Sequence, residues 1–92
     1  MFIHIETVHY LDDYKLELVF NDGKQKVVDL SDELYGAAFE SLKDKIYFQQ
    51  VAVNPETQTI EWPNGVDFAP EFLYGIGEEP PQTARSRPLQ TA

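Results

Sequence analysis

The segment from residue 14 to residue 30 limits the fold more than any other part of the chain. Residues 14–20 carry apolar side chains at every even position, and this period of two predicts a half-buried β-strand. The Asn-Asp-Gly sequence at 21–23 then predicts a three-residue turn that ends on a left-handed glycine. That turn sets Leu16 opposite Val28, whereas a two-residue loop would set it opposite Asp29. An antiparallel hairpin in the first of these registers is therefore predicted.

Two further β segments flank this hairpin in the sequence. The N-terminal segment is rich in β-forming residues, but its apolar residues change parity between Ile5 and Val8. A bulge near residues 6–7 would reconcile the two sets. Residues 51–62 predict a second hairpin, with apolar side chains on both strands and a turn over residues 54–57.

Short helices are predicted for the middle and the end of the chain. Residues 32–35 suit one helical turn that stops at a glycine, and residues 37–50 contain neither Gly nor Pro. Asp44-Lys45 could divide the second stretch into two helices. The spacing of its apolar residues predicts one common face formed by Phe39, Leu42 and Ile46. A last helix is predicted from Pro70 to Tyr74, ended by Gly75 and Gly77.

These elements predict a mixed α+β fold for one domain over residues 1–77. Its mostly antiparallel sheet would contain the two hairpins and the N-terminal strand, with short helices packed on one face. Residues 78–92 contain three prolines and predict a Pro-rich C-terminal tail, which could order on its own domain or on a second copy. The expected core consists of Leu16, Leu18, Phe20, Val28, Leu30, Leu34, Phe39, Leu42, Phe48, Val53, Ile60, Trp62 and Leu73.

Composition excludes several classes of function. The 92 residues include no cysteine, which rules out disulfides, thiolate metal sites and thiol catalysis. Sixteen acidic residues against seven basic ones give a formal net charge of −9, so nucleic acid and acidic membrane surfaces would be repelled. A basic protein partner fits this charge, and so does a role in solubility alone. We find no apolar run long enough to cross a bilayer and no secretory signal, so we expect a cytoplasmic protein.

Two parts of the chain resemble a known bacterial family. The segment at 62–74 reads Trp-Pro-Asn-Gly-Val-Asp-Phe-Ala-Pro-Glu-Phe-Leu-Tyr, and the first hairpin contributes Leu-Asp-Asp-Tyr at 11–14, Asp-Gly at 22–23 and Asp-Leu at 29–30. These residues resemble domain of unknown function 2442, and the resemblance extends from Phe2 to Tyr74.

The resemblance implies a small α+β domain and no established activity. Some relatives are fused to a helix-turn-helix segment. Relatives are also often encoded beside another small protein, in an arrangement that suggests a toxin–antitoxin or regulatory pair. Only 15 residues follow Gly77, too few for a helix-turn-helix, so we expect no direct contact with DNA here.

We predict that any interaction surface lies in and around the 62–74 segment, and we assign no catalytic, cofactor-binding or metal-binding residue. Asn64, Asp67 and Glu71 also have structural explanations. The first suits a turn with the glycine that follows it, the second can accept hydrogen bonds from nearby backbone amides, and the third favours a helix start. Phe68, Phe72 and Leu73 cannot all face inward on a short helix, so part of this group could form an exposed apolar patch. The predicted interaction residues are Trp62, Asn64, Asp67, Glu71, Phe72 and Tyr74.

Three kinds of function stay open at this point. The first is a non-enzymatic protein-interaction module, the regulatory or antitoxin-like member of a small bacterial pair, whose partner would be a small basic protein encoded nearby. The second is a small metal- or ligand-binding enzyme that uses His4, His9, Asp67 and Glu71, which would have to converge in one cavity. The third is a self-associating structural domain that forms a homodimer through exposed strand edges.

Overall fold

A computed structural model of the protein describes residues 2–79 and confirms the mixed α+β class. The strands β1, β2 and β3 form an antiparallel sheet in that order, and β4 and β5 form a separate antiparallel pair. Two short α-helices and two 3-10 segments complete this part of the chain. The bounds are β1 Ile5–Tyr10, β2 Lys15–Phe20, β3 Gln25–Asp29, 3-10 segments Ser31–Glu33 and Ala37–Lys43, α1 Lys45–Phe48, β4 Ala52–Asn54, β5 Thr59–Glu61 and α2 Pro70–Ile76.

The first hairpin has the predicted register. Leu16 lies opposite Val28, and the Phe20 amide donates to the Lys24 carbonyl across 2.9 Å. Gly23 has a φ of +88°, the left-handed conformation that a three-residue turn of this kind needs. The pairing of β1 with β2 is shifted between Ile5 and Thr7. The predicted bulge is therefore confirmed, and it lets both sets of apolar residues in β1 face the core.

The second hairpin forms its own sheet and does not extend the first one. Val53 lies opposite Ile60, as the sequence predicts. The two sheets are joined by a backbone hydrogen bond from the Ile5 amide to the Gln58 carbonyl across 2.9 Å. Each strand of this hairpin spans three residues, and the bulge interrupts the regular edge of β1. A continuous ladder between the sheets therefore does not form.

The middle segment divides at Asp44, as predicted, but the face assigned to it is partly wrong. Asp44 accepts a hydrogen bond from the Ile46 amide across 3.0 Å and so caps α1. Leu42 and Phe48 are fully buried, whereas Ile46 is 75% exposed. The spacing rule failed because residues 37–43 form a 3-10 segment, which has three residues per turn, and the break at Asp44 then rotates the face.

Helix α2 is two residues longer than predicted. Gly75 lies within the helix and does not end it, while Gly77 is the C-cap residue. Glu78 then exchanges backbone hydrogen bonds of 2.7 and 2.9 Å with Val27 of β3. The fold therefore continues past the expected boundary at Gly77. The prediction made for the rest of the tail, from Pro80 onward, falls outside the described residues.

The predicted core is buried except for Phe39 and Val53, which are half-buried and pack against it. Ile5 is also buried, at 3% exposure, although it was not among the predicted core residues. The Trp62 indole donates to the Phe48 carbonyl across 2.9 Å, so its polar atom is paired within the core. Over residues 2–79, no helix has the length and apolar character needed to cross a membrane.

Candidate functional site

A shallow aromatic groove lies where residues 62–74, which we call the signature segment, meet the chain that follows β3. Its cavity has a volume of about 340 Å³. We call it the aromatic groove, and its lining residues are Glu33, Tyr35, Phe39, Asp67, Phe68, Ala69 and Phe72.

The first wall of the groove comes from residues 31–39. The Asp29 carboxylate accepts a hydrogen bond from the Ser31 amide across 3.0 Å and starts the first 3-10 turn. Leu34 is buried and anchors this wall to the core, whereas Tyr35 is 71% exposed. The chain then turns at Gly36, whose φ is +90°, and places its next aromatic side chain at the groove.

The second wall comes from the signature segment. Asp67 forms an isolated antiparallel bridge with Glu61 of β5. The buried Thr59 hydroxyl donates to the Phe68 carbonyl across 2.6 Å, which fixes the backbone at this point. Pro70 begins α2, and the helix buries Leu73 while Phe72 stays 38% exposed. Because Leu73 is buried in the core, the adjacent Phe72 lies at the surface and supplies the exposed part of this wall.

Phe68 connects the groove to the core through aromatic contacts. Its ring centroid lies 5.2 Å from that of Phe39 and 6.0 Å from that of Trp62. It also stacks on Phe72, with centroids 5.9 Å apart and planes within 15° of parallel. A partly exposed ring held in this way loses little entropy when a ligand covers it, and rigid aromatic surfaces of this kind suit binding.

The groove is acidic as well as aromatic. Glu33 and Asp67 are its charged lining residues, and no Lys, Arg or His lines it among residues 2–79. In the same part of the chain neither carboxylate forms an ion pair, although four other acidic residues do. The groove therefore presents negative charge next to apolar surface.

The six predicted interaction residues do not form one surface. Asp67 and Phe72 line the aromatic groove, and Glu71 is exposed on the first turn of α2. Asn64 is exposed in a turn, where its side chain accepts from the Val66 amide across 3.1 Å. Trp62 is 1% exposed and belongs to the core, so including it in the surface was wrong. Its long apolar ring fills the space beside Phe48.

Tyr74 holds α2 against the first hairpin. Its hydroxyl donates to the Asp22 carboxylate across 2.6 Å, and its ring contacts Phe20 edge-on at 5.0 Å. The hydrogen bond lowers the pKa of the Asp22 carboxyl and raises the pKa of the Tyr74 phenol. Lys26 lies 4.0 Å above the same ring and donates to the Tyr74 carbonyl across 2.8 Å. This tyrosine therefore has a structural part in the fold.

The four residues of the enzyme alternative do not line one cavity with each other. The Nε2 atom of half-buried His4 lies 4.0 Å from a Glu6 carboxylate oxygen, and His9 is exposed opposite Glu17 on β2. Only Asp67 of the four lines the aromatic groove. Over residues 2–79, no group of three or more His, Asp or Glu side chains is arranged to hold a metal ion. The geometry gives this alternative no support.

Sequence reasoning missed the wall of the groove that residues 31–39 form. Glu33 and Tyr35 lie more than 30 residues before Asp67 in the chain, and nothing periodic connects the two segments. One signal was available: Tyr35 is a large aromatic residue at the end of the single predicted helical turn, directly before Gly36. Aromatic residues in such turns are candidates for exposed surface.

These observations define a small mixed α+β domain with an acidic aromatic groove. The family model described as protein of unknown function (DUF2442) matches residues 5–79, and the chain belongs to this family. Comparison with curated proteins gave no match.

A solved structure from Nitrosomonas europaea, named Putative DNA Binding Protein, shares the fold. It superimposes with a TM-score of 0.72 at 22% sequence identity, over 83% of this chain. The match covers 49% of the neighbour, so this chain spans about half of that protein's length.

Proposed function

We propose that this protein is a protein-interaction module that binds a partner protein through the aromatic groove. The observation that carries this proposal is the exposed pair of aromatic side chains, Tyr35 and Phe72, beside two carboxylates. Aromatic residues are enriched where protein interfaces gain most of their binding energy. The signature segment supplies more than half of the lining residues, so the groove is built largely from the part of the chain that identifies the family.

The chemistry of the groove supports binding over catalysis. The described residues that line it include no His, Lys, Ser or Thr. It therefore offers no serine, threonine or lysine nucleophile beside a histidine base. A regulatory or antitoxin-like role in a pair with a small basic protein, as the family resemblance implies, agrees with the acidic surface around the groove.

Charge argues against direct DNA binding by the described part of the chain. The name of the Nitrosomonas europaea neighbour suggests DNA, but residues 2–79 hold all 16 acidic residues and only five of the seven basic ones. Phosphate neutralisation by basic side chains supplies most of the affinity of DNA-binding proteins. A surface of this charge would repel the duplex.

The test is affinity purification of the tagged full chain from its own host cells, with and without nuclease. The variant Tyr35→Ala/Phe72→Ala removes the exposed rings, and Ile46→Ala is the control because Ile46 is 75% exposed and does not line the groove. We expect one protein to be recovered in near-equal amount with the wild type and the control, and to be lost with the double variant. The proposal would be overturned if DNA is recovered, or if no recovered protein is lost with the double variant.

A further inference from the structure

We propose that the aromatic groove recognises a peptide segment that presents an arginine side chain next to an apolar one. This inference rests on the proposed function and specifies the chemistry of its ligand. The partner segment would place its guanidinium group between the carboxylates and the exposed rings, and its apolar side chain against Phe68 and Phe72.

The carboxylates of the groove are available to such a cation. Glu33 is half-buried and Asp67 exposed, and neither forms an ion pair with a residue of the described part of the chain. A guanidinium group can donate to a carboxylate through two parallel hydrogen bonds. Two carboxylates around one cavity therefore favour a cationic ligand and disfavour an acidic one.

The rings select arginine over lysine. Tyr35 is 71% exposed and Phe72 is 38% exposed, while the stacked Phe68 keeps the second ring in place. The planar guanidinium stacks on aromatic faces and is more weakly hydrated than an ammonium group. The same rings supply an apolar surface for a neighbouring Leu, Ile or Phe of the partner, and a cavity of about 340 Å³ is large enough for side chains of this size.

Charge complementarity points to a segment of another protein as the occupant. Another copy of the described domain carries the same excess of acidic residues and would be repelled. Residues 80–92 of the chain itself contain both arginines, Arg85 and Arg87, and no acidic residue. Their sequence makes them the competing occupant, and the experiment is designed to separate them from an external partner.

The experiment is a selection from a randomised 12-residue peptide display library against the full chain, followed by affinity measurement on the enriched peptides. The counter-target is Glu33→Gln/Asp67→Asn, which removes the groove's charge and keeps its shape. The matched control is Asp12→Asn/Glu56→Gln, because both carboxylates are exposed and neither lines the groove. We expect enriched peptides with Arg beside an apolar residue, bound about five-fold more weakly by the counter-target and unchanged by the control.

Three results would overturn the inference. One is enrichment of peptides without a cation, and another is equal binding when Arg is replaced by the neutral isostere citrulline. The third is enrichment only against Arg85→Ala/Arg87→Ala, which would assign the groove to the chain's own C-terminal segment. If any of these occurs while the affinity purification still yields a groove-dependent protein, the proposed function stands and only the ligand chemistry is wrong.

Discussion

Tyr74 of α2 donates a hydrogen bond of 2.6 Å to Asp22 in the turn of the first hairpin, although 52 residues separate the two in the chain. Tyr74 lies on α2, the helix that also carries Phe72 at the groove and Leu73 in the core. The contact therefore helps to fix the groove from the opposite end of the helix.

We predict that Tyr74→Phe destabilises the fold without changing its packing. The ring keeps its edge-on contact with Phe20, but the Asp22 carboxylate loses its donor. Urea unfolding should show a lower midpoint with an unchanged slope. Adding Asp22→Asn to this variant should cost less than Asp22→Asn costs alone, because the two groups act together. Additive effects would show that the hydrogen bond contributes nothing.

Stability should fall in acid as the carboxyls of Asp22 and Asp13 become protonated. The Tyr74 hydroxyl lowers the pKa of Asp22, and Lys45, which lies 2.8 Å away, lowers the pKa of Asp13. A lowered folded-state pKa gives stability that is complete above the unfolded value of about 4 and is lost as pH falls through the folded value. Urea midpoints measured from pH 7 to pH 2 should decline over this window. The decline should be smaller in Asp13→Asn/Asp22→Asn, and an identical curve would contradict the assignment.

Two neighbouring residues on α2 should contribute very differently to the stability of the fold. Leu73→Ala removes a fully buried side chain and should cost about 2–5 kcal/mol of unfolding free energy. Phe72→Ala removes a partly exposed ring and should cost on the order of 1 kcal/mol, because less apolar surface is lost. Chemical denaturation measures both values. A larger cost at Phe72 than at Leu73 would place the groove ring in the core.

Two glycines should respond to alanine in opposite directions. Gly65 has a φ of +88° in the turn before the groove, so Gly65→Ala should cost about 1–2 kcal/mol through backbone strain alone. Gly75 lies inside α2 with open space around it, so Gly75→Ala should stabilise the protein by about 0.5–1 kcal/mol. Thermal and urea unfolding of both variants check the pair. Equal effects would mean that the two backbone conformations do not differ as described.

The sequence was sufficient to predict the first hairpin and the bulge in β1. The alternation at 14–20 with the turn at 21–23 favours the observed register, since a two-residue loop would set Leu16 opposite Asp29. The change of parity before Val8 located the bulge for the same reason. The register and the bulge both follow from a short-range rule: the apolar side chains of a strand must lie on the face that is buried from water.

The candidate site could be predicted only in part. Asp67 and Phe72 belong to a motif whose residues are close in sequence, so their proximity was foreseeable. Glu33 and Tyr35 reach the groove only after the chain has turned at Gly36 and packed Phe39 on Phe68, a tertiary contact that no periodicity of the sequence predicts. Trp62 was misplaced because aromatic residues are common in both cores and interfaces, and only packing decides between them.

The central claim is that the surface around Tyr35 contacts another protein. Its most direct test replaces Tyr35 with a photo-crosslinking phenylalanine analogue. The control carries the same analogue at Ile46, which is similarly exposed. Irradiation of host cells that express each variant should yield a discrete protein adduct at position 35 and none at position 46. Adducts to nucleic acid, or equal adducts at the two positions, would contradict the account.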